Sequence, residues 1–254
     1  MKQSIKKAII KLFDPFAKRL GYQTVDQSNA ATDKGSLLNN FYNVLKQIQF
    51  EPRHIVDIGA NHGTWTRTAL RFFPDAFYTL IEPQGWLKDS IKDLTDNNKK
   101  IKFHAVGAGA KPGTFKFTIA DRDDSCTFKY TEAEAMEHGL KQIDIPVVTL
   151  NELLQESDLP APDIIKIDAE GLDIDVLHGA DNYFGKTEIF IVEVGVVIKE
   201  FENSFLQMIN FMDDKGYKLF EITDLNRPFA TKILWLAELV FIKKGGFIDS
   251  QKFV

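Results

Sequence analysis

The chain has 254 residues, of which 44% are hydrophobic, so it is long enough for one large domain with a sizeable core. Its 36 acidic and 31 basic residues give a formal net charge of −5, which argues against a dedicated binder of duplex DNA. The single cysteine, Cys126, excludes an intramolecular disulfide and a cysteine-based zinc cluster.

The first 20 residues are basic and amphipathic. They carry a net charge of +5, whereas the other 234 residues carry −10. Their apolar residues recur at helical spacing: Ile5, Ala8, Ile9, Leu12, Phe13, Phe16 and Leu20. We expect a helix, kinked at Pro15, that packs on the core or on a partner subunit. Two alternatives are a helix lying on an anionic membrane surface and a transit peptide, which Asp14 and the preference for lysine over arginine disfavour.

The next residues divide the chain into segments. Residues 21–35 are polar and small and predict a linker, and residues 36–49 predict a helix. We expect residues 1–49 to form the amphipathic helix and a helical lead-in, residues 50–245 the main domain, and residues 246–254 a C-terminal tail. No run of about 18 apolar residues and no secretory signal pattern is present, so we expect a cytoplasmic protein without a transmembrane helix.

From residue 54 onward, strand patterns alternate with helix patterns. The predicted strands are 54–60, 76–81, 101–106, 113–120, 145–148, 163–168, 188–194, 217–222 and 233–242. The predicted helices are 64–73, 86–94, 132–138, 150–154, 173–184 and 204–215, the last closed by Gly216. This order predicts an α/β fold with helices on both faces of a mostly parallel sheet. The final two strands, joined without a helix, should be antiparallel at one edge, as in a seven-stranded nucleotide-binding sheet with a reversed last strand.

The most informative stretch follows the first predicted strand, in the sequence HIVDIGANHG of residues 54–63. Gly59 and Gly63 allow a tight turn and the close approach of a ligand. Asn61 tolerates left-handed backbone, and Thr64 is a candidate N-cap for the next helix. A small or anionic group can therefore sit over the N-terminus of that helix.

An acidic residue, Glu82, ends the second predicted strand 19 residues after Gly63. An acid at this distance accepts hydrogen bonds from ribose hydroxyls in Rossmann-type sites. Asn61 stands where a middle glycine would make room for a pyrophosphate. The pattern therefore favours an adenosine-type ligand without a pyrophosphate, such as S-adenosylmethionine, over a dinucleotide.

Five segments resemble the FkbM-type methyltransferases. They are residues 56–63 (VDIGANHG), 81–83 (IEP), 148–154 (VTLNELL), 165–171 (IKIDAEG) and 176–180 (VLHGA). The resemblance spans roughly residues 50–245. It implies a Rossmann-like class I methyltransferase fold that uses S-adenosylmethionine and methylates hydroxyl oxygens on sugars or natural products. Asn151, where the family often has aspartate, is at a position that we interpret as structural.

The candidate site residues lie at strand ends. The candidate cofactor-binding residues are Asp57, Gly59, Ala60, Asn61, Gly63, Glu82 and Val106. Asp168 is the first candidate for the catalytic base, with Glu170 as the alternative, because a carboxylate within about 3 Å of the acceptor hydroxyl can take its proton. Glu193, near the end of the next strand, can face the same crevice.

The same acidic residues have two other interpretations. Lys166, Asp168 and Glu170 can form a structural ion-pair network, since a buried lysine needs a partner. Three carboxylates can also hold Mg²⁺, although no histidine-rich spacing supports a metal and none is assigned.

Other side chains have weaker signals for a role. His62 lies in the cofactor turn, His104 favours strand packing, and His138 and His178 could reach a substrate. Residues 121–126 are either a substrate-gating loop or a plain connector. Trp86 and Phe128 could stack on a ring, although aromatic residues are more often part of a core.

The sequence thus predicts an O-methyltransferase that acts on a hydroxyl of a sugar, a glycan or another small natural product. We expect the partner to be a small-molecule or glycan acceptor and not a nucleic acid. A homo-oligomer and a peripheral membrane contact through residues 1–20 stay open. One alternative is a nicotinamide-dependent oxidoreductase, which the glycine pattern and the lack of a Tyr-x-x-x-Lys pair disfavour. The other is a non-catalytic module that has kept a cofactor-binding fold.

Overall fold

The computed structural model describes residues 36–96, 98–197 and 204–253. The helix expected over residues 1–20 and the linker over 21–35 lie outside these residues. The described helices are α1 (Ser36–Gln47), α2 (Thr64–Phe72), α3 (Lys92–Thr95), α4 (Glu132–Glu137), α5 (Leu150–Gln155), α6 (Asp173–His178) and α7 (Phe205–Asp214), with 3₁₀ helices at Gly85–Ile91, Asp123–Ser125 and Asp181–Tyr183. The described strands are β1 (His54–Ile58), β2 (Phe77–Ile81), β3 (Ile101–His104), β4 (Gly107–Ala108), β5 (Gly113–Ile119), β6 (Lys141–Val148), β7 (Ile164–Ile167), β8 (Ile189–Gly195), β9 (Tyr217–Asn226) and β10 (Leu236–Lys243).

Seven strands form the large sheet, in the order β3-β2-β1-β7-β8-β10-β9. Strands β3, β2, β1, β7 and β8 are mutually parallel, and β10 runs antiparallel to both β8 and β9. The predicted α/β architecture with a reversed last strand is therefore confirmed. The last strand is not at the edge, however, because it inserts between β8 and β9.

The remaining strands form a second, smaller sheet in the order β4-β6-β5. β5 and β6 pair antiparallel from Gly113 opposite Val147 to Ile119 opposite Lys141. β6 begins four residues before the predicted strand 145–148. Only the inner end of β5 is buried, so this sheet has a small core of its own around Phe117.

Helices cover the large sheet on both faces. On one face, α1 buries Leu38, Phe41, Tyr42 and Leu45 at helical spacing against a core shared with β1. On the other face, α5, α6 and α7 bury apolar side chains against β7 and β8. The central strands β1 and β7 are buried along their whole length, as expected for parallel strands between two helical layers. None of the helices in the described ranges is long and apolar enough to cross a membrane.

Three local predictions need correction. The predicted N-cap Thr64 is the first residue of α2, and Gly63 occupies the cap position with φ of 72°. The predicted helix over 86–94 is a 3₁₀ helix followed by the single turn α3. The predicted helix over 173–184 ends at His178, and its C-cap Gly179 packs so closely that a Cβ there would lie 2.0 Å from the carbonyl oxygen of Gly109.

Candidate functional site

The turn after β1 is held against β2 and β7 by backbone contacts. The N–H groups of Gly59 and Ala60 donate to the carbonyl of Ile81 at 2.9 and 3.1 Å. Gly59 has φ of 73°, and a Cβ on it would lie 1.9 Å from the carbonyl oxygen of Asp168. Asn61 also adopts left-handed backbone, with φ of 45°. Only glycine fits at position 59, because the ends of β1 and β7 touch there.

Glu82 ends β2 directly beside this turn. It is only 3% exposed, and its two carboxylate oxygens accept hydrogen bonds from the N–H groups of Asn61 (2.8 Å) and Gln84 (2.9 Å). Burial raises the pKa of Glu82, and these two N–H donors oppose that rise. Each carboxylate oxygen has further acceptor capacity, so Glu82 can bind hydroxyl groups of a ligand while keeping its backbone contacts.

A cleft of about 660 Å³, measured out to its opening into solvent, lies over the carboxyl ends of β1, β2 and β7. Its lining includes five of the predicted site residues: Gly59, Asn61, Glu82, Asp168 and Glu170. A position at the strand ends is typical of small-molecule sites in α/β folds.

Four other predicted cofactor residues do not line this cleft. Asp57 is fully buried below it and accepts a hydrogen bond from the Thr66 hydroxyl at 2.6 Å. Ala60 is buried in the turn, and Gly63 starts α2. Val106 is partly buried and packs against the core. Their predicted role in cofactor binding stays a prediction.

Two aromatic side chains at the small sheet form a wall of the cleft: Phe128, which the sequence offered as a residue that could stack on a ring, and Phe117, which it did not single out. Phe117 on β5 and Phe128 pack with ring centroids 4.7 Å apart, and both line the cleft together with Cys126. A Cβ on Gly107 would come within 2.7 Å of the Phe128 ring. The alternating pattern of β5 indicated an apolar face but not what it faces, so Phe117 could not be placed in advance.

The segment 121–126, either a gating loop or a connector in the sequence, reaches across the cleft. Asp123 lines it, and its backbone carbonyl accepts a hydrogen bond from the Gln84 amide at 2.8 Å. The His62 ring lies 3.2 Å from the Asp123 carboxylate and 2.9 Å from the Ser90 hydroxyl. Burial raises the pKa of the Cys126 thiol, which makes it a poor nucleophile.

Lys166 joins the turn after β1 to the end of β7. Its buried ammonium lies 3.4 Å from the Asp57 carboxylate and 3.2 Å from the Asp168 carboxylate. It also donates to the carbonyls of Ile58 and Gly59 at 3.5 and 3.3 Å. Although burial lowers the pKa of Lys166, the charges of Asp168 and Asp57 raise it above the ordinary lysine value. Lys166 is therefore part of an ion-pair network, with Asp57 as its second carboxylate.

The loop after β7 has a constrained backbone. Glu170, with φ of 50°, is a non-glycine residue in left-handed conformation, and Gly171 follows with φ of 89°. The carboxylate of buried Asp173 accepts the N–H groups of Ala169 and Gly171 at 2.9 and 3.1 Å. Burial raises the pKa of Asp173 to about 7. Non-glycine residues in this conformation concentrate at ligand sites, which makes this loop a candidate acceptor contact.

Two further acidic residues continue the row beyond Asp168. Glu193 on β8 and Glu238 on β10 are cross-strand partners, and Glu238 accepts the Thr223 hydroxyl at 2.5 Å. Burial raises the pKa of Glu193 well above its ordinary value, and the carboxylates of Asp168 and Glu170 add to the rise. Burial also raises the pKa of Glu238 to about 7, against the opposing charge of Lys166.

The remaining candidates lie elsewhere. His138 packs near Tyr130, His178 packs against Phe211, and neither lines the cleft. Trp86 is exposed outside it. His104 is partly buried, and that burial lowers its pKa.

The last sequence candidates are Asn151 and the acidic residues that were considered as metal ligands. Asn151 donates to the Asp181 carboxylate at 2.6 Å and accepts the N–H of Asn182, so its contacts are structural. Within the described ranges, no group of three or more His, Cys, Asp or Glu residues is arranged to hold a metal ion.

Comparison with known proteins agrees with this architecture. The family model described as "Methyltransferase FkbM domain" matches residues 57–219. A solved methyltransferase FkbM from Methylobacillus flagellatus KT aligns with a TM-score of 0.50 and 18% identity, over 74% of this chain and 43% of that one. A precorrin-6y C5,15-methyltransferase from Geobacter metallireducens GS-15 aligns with a TM-score of 0.47 and 12% identity, over 85% of this chain and 91% of that one.

The structural match and the family match support different conclusions. The chain spans less than half the length of the Methylobacillus structure, and at 18% identity that likeness concerns the fold. No curated protein sequence matches the chain. The family match covers both the cofactor turn and the strand that carries Asp168.

Proposed function

This chain belongs to the FkbM methyltransferase family, and we propose that it transfers the methyl group of S-adenosylmethionine to a hydroxyl oxygen of a sugar, a glycan or another small natural product. The observation that carries the proposal is the buried Glu82 carboxylate, which lines the cleft next to the Gly59 turn. An acidic residue in this place suits a ribose, and the turn leaves no glycine-made space for a pyrophosphate.

The cleft fits such a cofactor in its chemistry. Glu82 offers carboxylate oxygens, and the aromatic pair Phe117 and Phe128 offers apolar walls for a flat ring. The amide oxygen of Gln84 is buried and makes no hydrogen bond with the described residues. The Gln84 nitrogen is fixed on Asp123, so this oxygen is oriented as an acceptor for a donor group on a ligand.

Methyl transfer needs an acceptor hydroxyl held in line and relieved of its proton. When bound, S-adenosylmethionine supplies an electrophilic methyl group. We assign Asp168 to orient the hydroxyl and accept its proton, with Glu170 as the alternative base. The Asp168 side chain is 34% exposed at the cleft, and one of its oxygens faces Lys166.

The cofactor assignment is tested by calorimetry on Glu82→Ala with S-adenosylhomocysteine. Loss of hydrogen bonds to two ribose hydroxyls should weaken binding by roughly 1.5–3 kcal/mol. Glu137→Ala, an exposed change on α4, is the matched control and should bind like the wild type. Unchanged affinity in Glu82→Ala would contradict the ribose assignment.

The methyl-transfer assignment is tested by measuring turnover. Labelled S-adenosylmethionine offered with a panel of sugars and hydroxylated natural products should transfer label to oxygen. Cofactor binding without transfer to any hydroxyl would instead support the non-catalytic module. The expected cytoplasmic location, the domain limits, the oligomeric state and the membrane contact of residues 1–20 stay predictions.

A further inference from the structure

Exposed apolar side chains lie at the carboxyl edge of the large sheet, beyond its acidic residues. They are Val196 and Val197, which follow β8, and Phe229 and Ile233, in the loop between β9 and β10. We call these four residues the apolar rim. β8 is parallel to β7, and β9 has the same direction because both β8 and β9 are antiparallel to β10. The apolar rim is therefore at the same edge of the sheet as Asp168.

The backbone that carries the apolar rim is hydrogen-bonded. The N–H of Val196 donates to the carbonyl of Trp235 at 2.9 Å, and the N–H of Trp235 donates to the carbonyl of Asn226 at 2.8 Å. The rings of Phe229 and Trp235 meet edge to face, with centroids 4.9 Å apart. The Arg227 guanidinium closes the loop by donating to the carbonyl of Lys232 at 2.7 Å. These contacts hold the end of β8 and the loop between β9 and β10 together, so that they form one surface.

The apolar rim continues directly from the acidic row. Glu193 and Glu238 are cross-strand partners, and the next pair of that ladder with the same orientation is Gly195 and Leu236. Val196 and Val197 follow Gly195 directly, at the carboxyl end of the same strand. The edge of the large sheet beside Asp168 is thus acidic at its base and apolar at its outer end.

We propose that the apolar rim binds a hydrocarbon portion of the methyl acceptor, which makes the acceptor an amphiphile with a hydroxylated head and an alkyl-like body. This rests on the proposed function, because the head must present its hydroxyl at Asp168. Apolar groups on a rigid loop gain affinity only when they are covered, and an acceptor that reaches the acidic base lies across them. An anionic bilayer is a poorer occupant, because residues 21–254 carry a net charge of −10.

The test uses methyl, butyl, hexyl and octyl β-D-glucosides, each below its micelle concentration, titrated by calorimetry into the full chain loaded with S-adenosylhomocysteine. The dissociation constant should fall about two- to fourfold for each added methylene that is buried. In Phe229→Ser/Ile233→Ser this dependence on chain length should vanish, so that octyl and butyl glucosides bind alike. The substituted side chains are about half exposed, so the melting temperature should fall only slightly, through the lost contact of Phe229 with Trp235.

The matched control is Phe247→Ser. Phe247 is as exposed as Phe229, at 46%, but follows β10 at the opposite edge of the sheet, where its ring is 5.9 Å from Phe50. It should keep the full dependence on chain length. Equal loss in both variants, or no dependence in the wild type, would overturn the proposal.

Vesicle binding and turnover distinguish the apolar rim from a membrane-docking surface and from a failure of the proposed function. The wild type could sediment with phosphatidylglycerol vesicles while the double variant does not, and glucoside affinity could be independent of chain length. That pair of results would identify a membrane-docking surface and overturn the proposal. Methyl transfer to short hydroxyl acceptors without chain-length dependence would contradict the role of the apolar rim alone. Chain-length dependence without methyl transfer to any hydroxyl would contradict the proposed function.

Discussion

The two halves of the cleft hold their carboxylates in different ways. On the cofactor side, Glu82 is fixed by two backbone N–H groups. On the acceptor side, Asp168 is fixed by the side chain of Lys166, which also contacts Asp57. Backbone donors stay in place whatever the side chains do, whereas the Lys166 network depends on keeping three buried or half-buried charges in balance. The cofactor side should therefore tolerate side-chain changes around Glu82, whereas the acceptor side should be destabilised by loss of the Lys166 ammonium, which both carboxylates share.

The largest effect is expected where the two halves touch. In Gly59→Ala, the new Cβ would lie 1.9 Å from the Asp168 carbonyl, on a residue with φ of 73°. Backbone strain and the displaced carbonyl should together cost at least about 4 kcal/mol of unfolding free energy. Gly185→Ala is the control, since φ is 78° there but nothing lies within 4 Å, and it should cost only about 1–2 kcal/mol. Equal costs in urea denaturation would show that the two halves do not constrain each other.

The next effect tests the charge balance of the acceptor side. Lys166→Met leaves the buried Asp57 carboxylate and the Asp168 carboxylate without their ammonium. We expect a loss of about 3–5 kcal/mol in unfolding free energy. Adding Asp57→Asn to Lys166→Met should restore part of it, because one uncompensated charge is removed. A double variant less stable than Lys166→Met would argue that Asp57 stabilises the fold by packing and by its Thr66 hydrogen bond.

Asp168→Asn separates the catalytic role from the structural one. Turnover should fall at least about 100-fold, since the amide cannot accept the proton of the hydroxyl. Melting temperature should change little, because Lys166 keeps Asp57 at 3.4 Å. Affinity for S-adenosylhomocysteine should also be retained. A large fall in melting temperature with proportionate loss of turnover would assign Asp168 to the scaffold and leave Glu170 as the candidate base.

The smallest effect concerns pH. The pKa of Glu238 is about 7 in the folded protein, above its ordinary value, so the protonated form favours folding. Its contribution is fully present below the unfolded pKa and is lost as pH rises through about 7. Glu238→Gln keeps an acceptor for Thr223 and removes this loss, so its stability relative to the wild type should rise between pH 5 and pH 8.

The control for this pH dependence is Glu137→Gln, an exposed change on α4. It should follow the wild-type stability at every pH in chemical denaturation. A gain for Glu238→Gln that is the same at both pH values would mean that packing, and not the charge, sets its effect.

Sequence patterns predicted the features that depend on local chemistry. The glycine turn, Glu82 and the buried Lys166 strand were found because strand ends and glycines carry signals within a few residues. Asp57 was assigned to the cofactor, but its contact with Lys166 depends on the register of β1 against β7, which one sequence does not specify. Phe117 was missed for the same reason, since the pairing of β5 with β6 decides which side chains reach the cleft.

The position of β10 between β8 and β9 has a consequence for how the chain folds. β9 is made before β10, yet it can join the sheet only through β10. Until residues 236–243 have left the ribosome, β8 keeps an unpaired edge that carries Phe190, Val192 and Val194. Unpaired apolar edges favour association with other nascent chains. We therefore expect the large sheet to close late in synthesis, and a chain halted before residue 236 to aggregate or to need a chaperone.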